Sequence, residues 1–225
     1  MGNRALIKGK GSGLALYVHW NGGYESVYPV TQYCKLKGYR SPASDSYGLA
    51  RLCQVYTNFF GGTMSVGIEP IERCITPNIA KEYSMDNGVY EIDKDWNICN
   101  HWGWRGEEVN DTPIGSEYLK LFMLKLDECM PEHDRLGKDL IMADEVPVEE
   151  LKIGDKVFVE TFDRYELKTI VGFGTDTYCN GFHVLDKPYV DLYGDNDEEN
   201  GNVDYSWNVN NYIRTKTARR LHEEE

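Results

Sequence analysis

The sequence predicts an α+β fold in two modules. The first, residues 1–138, combines a small sheet with about three helices; the second, residues 151–225, is small, β-rich and partly open barrel-like. An acidic linker over 139–150 is expected between them. Three observations lead there. Apolar residues in the first 130 positions alternate between strand-like and helix-like spacing. Composition shifts after Gly137, where residues 139–150 hold five acidic side chains and no basic one. Beyond about 145 the apolar runs are short and strand-like. A chain of 225 residues is long enough for two modules of unequal size.

The elements follow in order. Ala5 to Ile7 and Leu14 to Trp20 flank the glycine-rich Lys8–Gly13, which predicts a β-hairpin that Asn21-Gly22-Gly23 ends. A helix is expected from about Ser26, because Val27, Val30, Cys34 and Leu36 recur at helical spacing and Pro29 is tolerated in a first turn. The clearest helix follows Pro42, with Ser44 or Asp45 as its cap and Gly61-Gly62 at its end. Leu49, Leu52, Cys53, Tyr56, Phe59 and Phe60 form its apolar stripe. Thr63 to Ile68 and Gly88 to Ile98 read as strands with Asn87-Gly88 as a turn, and Ser116 caps a third helix that Pro131 stops. In the second module, Val157 to Thr161 and Leu167 to Val171 form a hairpin. Val184-Leu185, Tyr189 to Tyr193 and Val203 to Val209 continue the strands, and the charged tail from Thr215 is expected as a last helical turn or a frayed end.

Charge is divided unevenly. The net charge is −13, yet residues 1–60 carry seven basic and two acidic side chains, a balance of +5 that leaves −18 for the rest. Residues 188–213 contain no Lys or Arg, while Asp191, Asp195, Asp197, Glu198, Glu199 and Asp204 lie among them. An acidic module repels phosphates, so direct nucleic-acid binding there is not expected, whereas docking on a basic protein surface is. No apolar run approaches the ~20 residues of a membrane span. The six cysteines, at 34, 53, 74, 99, 129 and 179, form no CxxC, so reduced thiols, a cytoplasmic setting and no structural metal are expected. No cofactor motif is present, since Lys8–Gly13 leads into a strand where a phosphate loop must enter a helix.

Two constellations stand out. His19-Trp20-Asn21-Gly22-Gly23 ends a strand just before a helix, where free N–H groups attract anions and glycine admits a ligand to the backbone. With Arg4, Tyr47 and Arg51 it forms a candidate ligand site: Arg4, His19, Asn21, Tyr47 and Arg51, with Asn58 on the same helix face as Arg51. The run His101-Trp102-Gly103-Trp104-Arg105 suggests an exposed loop, and Trp102 and Trp104 join the acidic residues as candidate partner contacts. Nothing nominates a catalytic nucleophile.

The segments Gly2-Asn3-Arg4-Ala5, Val18-His19-Trp20-Asn21-Gly22-Gly23, Tyr47-Gly48, Arg51-Leu52-Cys53-Gln54-Val55, Asn58-Phe59-Phe60-Gly61-Gly62, Ser65-Val66-Gly67-Ile68 and Asp86-Asn87-Gly88-Val89-Tyr90 together form a pattern over about residues 1–130. It resembles a group of small proteins encoded by bacteriophages and integrated elements, especially of gut bacteria. The resemblance supplies a setting and no activity. In that setting an acidic accessory protein is expected to inhibit host defence, in the manner of anti-CRISPR or anti-restriction proteins, by binding a host nuclease complex with a basic surface inside the infected cell. The competing expectation is a nucleotide-binding or nucleotide-cleaving protein that removes a defence signal through Arg4, His19, Asn21 and Arg51. A third is a regulatory or structural phage accessory role.

Overall fold

A computed structural model describes residues 2–60, 66–83, 85–160, 165–175, 180–185, 212–214 and 217–221. The chain divides into two compact units, Met1–Leu136 and Gly137–Glu225. No helix among the described residues is long and apolar enough to cross a membrane.

The first unit is a five-stranded sheet with helices on both faces. Strands β1 (Ala5–Gly9) and β2 (Leu14–Val18) form the expected hairpin, with Ala5 opposite Val18 and Lys8 opposite Ala15. β3 (Val66–Pro70) pairs antiparallel with β2, β4 (Val89–Ile92) runs parallel to β1, and β5 (Ile98–Trp102) returns antiparallel to β4. The order is β3-β2-β1-β4-β5, which leaves β1 central and buried at all five positions. Side chains alternate across the sheet, so Leu6, Lys8, Ala15, Tyr17, Val89 and Glu91 share one face.

A short helix, α3 (Pro77–Tyr83), covers that face, packing Ala80, Ile79 and Tyr83 against Leu6, Ala15 and Val89. The opposite face carries α1 (Tyr24–Leu36), α2 (Ser46–Phe60) and α4 (Ser116–Glu128), which pack on one another. Within α2, Leu49, Leu52, Val55 and Tyr56 are buried, and Asp45 accepts the Gly48 N–H at 3.0 Å as the expected cap. Two glycines set how closely α2 approaches. A Cβ on Gly9 would stand 2.1 Å from the Pro42 carbonyl oxygen, and one on Gly48 2.1 Å from that of Ser41.

The structure departs from the sequence expectations at several places. α1 begins two residues before Ser26, so Pro29 sits in its second turn, and the N–H it lacks would have paired with Glu25. Residues 93–97 form a turn between two strands where one strand was expected. Asp93 accepts the N–H groups of Asp95 and Asn97 there, and Trp96 holds a φ of 65° while its indole donates to the Tyr39 carbonyl at 2.6 Å. α3 lies where no helix was expected. The stretch 139–150 is no linker: it forms α5 (Lys138–Met142), strand β6 (Asp144–Pro147) and a 3-10 turn over Val148–Glu150, all within the second unit.

That second unit is an open six-stranded sheet among the described residues, in keeping with the β-rich, partly open module expected. Its remaining strands are β7 (Lys156–Glu160), β8 (Tyr165–Thr175), β9 (Asn180–Leu185), β10 (Tyr212–Arg214) and β11 (Thr217–Arg220), in the order β10-β9-β8-β7-β11-β6. β7 and β8 form the expected hairpin. The tail, expected as a helical turn or frayed end, instead supplies β11, which pairs antiparallel with both β6 and β7. Val146, Leu151, Val157, Val159, Ile170 and Ala218 make its core. The runs 189–193 and 203–209 lie outside the described residues.

Candidate functional site

The five candidate ligand residues fall at opposite ends of β1. At its start the backbone ties residues 3 and 19–22 together, because Asn3 donates to the His19 carbonyl and Gly22 to that of Asn3. Arg4 reaches across to Asp86 with a forked pair of hydrogen bonds, Nε to Oδ2 at 2.9 Å and Nη2 to Oδ1 at 3.0 Å. Asp86 Oδ2 also accepts the Arg4 backbone N–H at 3.0 Å. These hydrogen bonds hold the Asp86 carboxyl down to about 2 and raise the guanidinium. His19 Nδ1 bonds the Tyr17 hydroxyl at 2.8 Å and its ring packs edge-on against Trp20. Asn21 takes a φ of 56° in the turn.

The expected anion position at the start of α1 is already filled from within the chain. A Cβ on Gly23 would lie 2.4 and 2.5 Å from the two carboxylate oxygens of Glu25, so that carboxylate folds back over the helix start. It supplies the negative charge that the helix dipole favours there. Glycine at 23 leaves the room.

At the far end of β1, the α1–α2 connection gathers a different group. The Arg40 guanidinium lies 5.1 Å from the Tyr47 ring and 2.6 Å from Asp45 Oδ2, and Arg51 lies 5.6 Å from the Tyr39 ring. Tyr47 is 66% exposed, and Arg51 also donates to Gln54. Asn58 is turned away towards Met130. The two ends are separated by the length of the strand: Gly9 abuts Pro42, whereas Arg4 sits against Asp86 before β4.

Two buried polar groups on the sheet were not foreseen. On the α3 face, Lys8 is fully buried and donates to the carbonyls of Glu72 at 2.7 Å and Arg73 at 2.9 Å. Its ammonium also lies 3.5 Å from Glu91 Oε1, while Glu91 Oε2 accepts from Asn100 at 2.9 Å. Burial pushes the Lys8 ammonium below the ordinary lysine value, with Glu91 opposing. On the other face, His101 meets Asp111 through Nδ1 at 3.0 Å and the Asn87 carbonyl through Nε2 at 2.7 Å. Its ring stacks on Tyr90 with centroids 3.9 Å apart. Sequence spacing carries no signal for either cluster, since each joins segments that only the sheet brings together.

No protein-family model, curated protein or solved structure matches the chain.

Of the partner residues, Trp102 is not an exposed contact. It lies in β5, half-buried against the Leu6 and Val89 cluster, because the strand continues through position 102 and the loop begins only at Gly103. Trp104 is 51% exposed with the Arg105 guanidinium 4.4 Å from its ring. The loop beneath it is tightly built: Arg105 N–H donates to Glu107 at 3.0 Å, and a Cβ on Gly106 would meet the Pro77 carbonyl oxygen at 2.0 Å. Asp191, Asp195, Asp197, Glu198, Glu199 and Asp204 lie outside the described residues. Among the described cysteines, burial raises the thiols of Cys34, Cys53 (to about 11) and Cys99, which keeps them in the unreactive thiol form at neutral pH. Among the described residues, no three His, Cys, Asp or Glu side chains are grouped to hold a metal ion.

Proposed function

We propose that the protein is a stoichiometric binding protein of a phage or mobile element that inhibits a host defence nuclease complex in the bacterial cytoplasm by docking on its basic surface. The observation that carries this reading is the charge distribution: a net −13, with the stretches 139–150 and 188–213 acidic and free of Lys and Arg. In the first of these stretches Glu145, Glu149 and Glu150 are exposed. The exposed Trp104–Arg105 pair adds a contact of the type that dominates protein interfaces.

Expression beside individual defence systems, read by phage plating, identifies the target, and binding to the purified complex then follows. Replacing Asp195, Asp197, Glu198 and Glu199 together with Asn or Gln weakens inhibition and flattens its salt dependence. Unchanged inhibition by that variant removes acidic docking.

Nucleotide capture is the second reading, and the stacked Arg40–Tyr47 and Arg51–Tyr39 pairs are what favours it. A thermal-shift screen against cyclic and adenine nucleotides tests it, since a ligand at 100 times its Kd adds about 2.7 kcal/mol of stability. Arg4 and His19 are not part of that version, being engaged with Asp86 and Tyr17 at the other end of the strand.

A further inference from the structure

The end of the first unit away from Arg4 gathers cations around two pairs of planar groups. Arg40 over Tyr47 and Arg51 over Tyr39, at 5.1 and 5.6 Å, both join the α1–α2 connection to the start of α2. Tyr47 and Arg51 stand about one helical turn apart, so the two pairs lie side by side. Both guanidinium groups and the Tyr47 ring are exposed. The β1–β2 turn packs on the same connection: a Cβ on Gly9 would stand 2.3 Å from the Ala43 nitrogen, and Lys10 follows Gly9. Lys35 lies in the last turn of α1, just before the connection. Lys10 and Lys35 are exposed and make no ion pair among the described residues, and Arg51 hydrogen-bonds the neutral Gln54. The acidic groups bonded into these loops are used internally. Asp45 takes Arg40 and caps α2, Asp134 takes Lys37 and the Tyr39 hydroxyl, and Asp93 takes N–H groups of Asp95 and Asn97. In the β4–β5 turn Lys94 and Asp95 are neighbours and offset one another. Lys10, Lys35 and Arg51 are left as local positive charge on a chain whose net charge is −13.

We propose that this end of the first unit binds single-stranded nucleic acid, with bases stacked on Tyr47 and the Arg40 and Arg51 planes and phosphates held by Lys10 and Lys35. The chemistry of the surface selects this occupant. Exposed rings and guanidinium planes offer flat faces, and unpaired bases stack on either. A duplex keeps those base faces inside its own stack. An acidic peptide matches the cations but leaves the flat groups unused. The chain's overall negative charge repels phosphates in general, so binding depends on this local excess of cations. The two ring pairs are shared with the nucleotide-capture reading. Lys10 and Lys35 come from two further segments, which carries the positive charge beyond one nucleotide to a strand with several phosphates. The inference extends that reading and stands without it.

Fluorescence anisotropy of the full chain with a labelled oligo(dT) strand of about 12 nucleotides, within the usual site size of such surfaces, tests this. The strand is expected to bind, and to bind less well as salt rises. A duplex of equal length, thymidine monophosphate and polyglutamate are each expected to compete at least about tenfold less well than the unlabelled strand. Tyr47→Ala weakens the strand roughly 5- to 100-fold, the range of one lost stacking contact. Lys10→Gln with Lys35→Gln lowers the slope of log affinity against log salt by about 1.4, as two lost phosphate contacts do for a single strand. All three side chains are exposed and lie on different elements, so the melting temperatures are expected to match the parent chain's. No binding of the strand, equal competition by the duplex or by polyglutamate, or binding that neither variant changes overturns the inference. A mononucleotide that competes as well as the strand leaves nucleotide capture standing and removes the strand.

Discussion

The two faces of the first unit's sheet bury polar groups in opposite ways. Under α3, Lys8 and Glu91 are adjacent in the parallel β1–β4 register, and the ammonium adds two backbone carbonyls to its carboxylate partner. Among α1, α2 and α4, the polar groups are tyrosine hydroxyls, an imidazole and the Asp127 carboxylate, which accepts the Tyr33 hydroxyl and the Leu136 N–H, each at 2.7 Å. There His101 lies between Asp111 and Asn87, while the Tyr56 and Tyr90 hydroxyls have no hydrogen-bond partner among the described residues. The contrast follows from what each group tolerates. A buried charge without partners costs several kcal/mol and forces a complete network, whereas an unbonded hydroxyl costs far less.

Breaking the charged face therefore has the larger effect. Lys8→Ala leaves the Glu91 carboxylate, 4% exposed, without its cation and frees the Glu72 and Arg73 carbonyls. A loss of roughly 3–5 kcal/mol is expected in urea unfolding of the first unit. Lys8→Met with Glu91→Leu is expected to recover most of it, because the charge that needs a partner is gone. A single-variant loss below about 1 kcal/mol shows that the pair is solvated and the contrast between faces is wrong.

On the helix face the corresponding change is His101→Phe, which keeps an aromatic ring on Tyr90 and removes both nitrogens. It leaves the Asp111 carboxylate and the Asn87 carbonyl short of a donor, an expected loss of about 2 kcal/mol. A variant as stable as the parent chain assigns the cluster's contribution to ring stacking alone.

What the sequence discloses divides along a similar line, between local and non-local causes. α2 is legible because its stripe, its Asp45 cap and its length all agree within 15 residues. The β1–β2 and β7–β8 hairpins are legible for the same reason. α3 escapes because it has seven residues and one fully buried position, Ala80, which is too little periodicity to see. β11 escapes because its charged residues become a strand only between β6 and β7, whose register lies about 60–75 positions away. The candidate ligand site fails for a geometric reason. Arg4 and Arg51 both belong to the basic N-terminal quarter, but β1 separates them, and the partner that occupies Arg4 is a residue 82 positions on. Lys8 and Glu91 likewise become a pair only in the parallel register.

The rim of the sheet offers the smallest and most specific test. The Arg4–Asp86 fork resembles the Lys8–Glu91 pair in chemistry and differs in exposure, with side chains 39% and 35% accessible against 0% and 5%. The Asp86 carboxyl is held near 2 in the folded chain, below its ordinary 3.8, chiefly by the hydrogen bonds from Arg4. Between those values the unfolded chain binds the proton and the folded chain does not. The pair's stabilisation is therefore complete above about pH 4 and is lost as pH falls towards 2. Water and salt screen a pair this exposed, which keeps the effect small at neutral pH. Asp86→Asn retains an acceptor for the Arg4 backbone N–H and removes the charge, so its melting temperature is expected to drop only slightly at pH 7 in low salt. The gap to the parent chain narrows below pH 4 and in high salt. A gap that stays constant across pH places the role of Asp86 in its neutral hydrogen bonds, and the rim then resembles the helix face rather than the charged one.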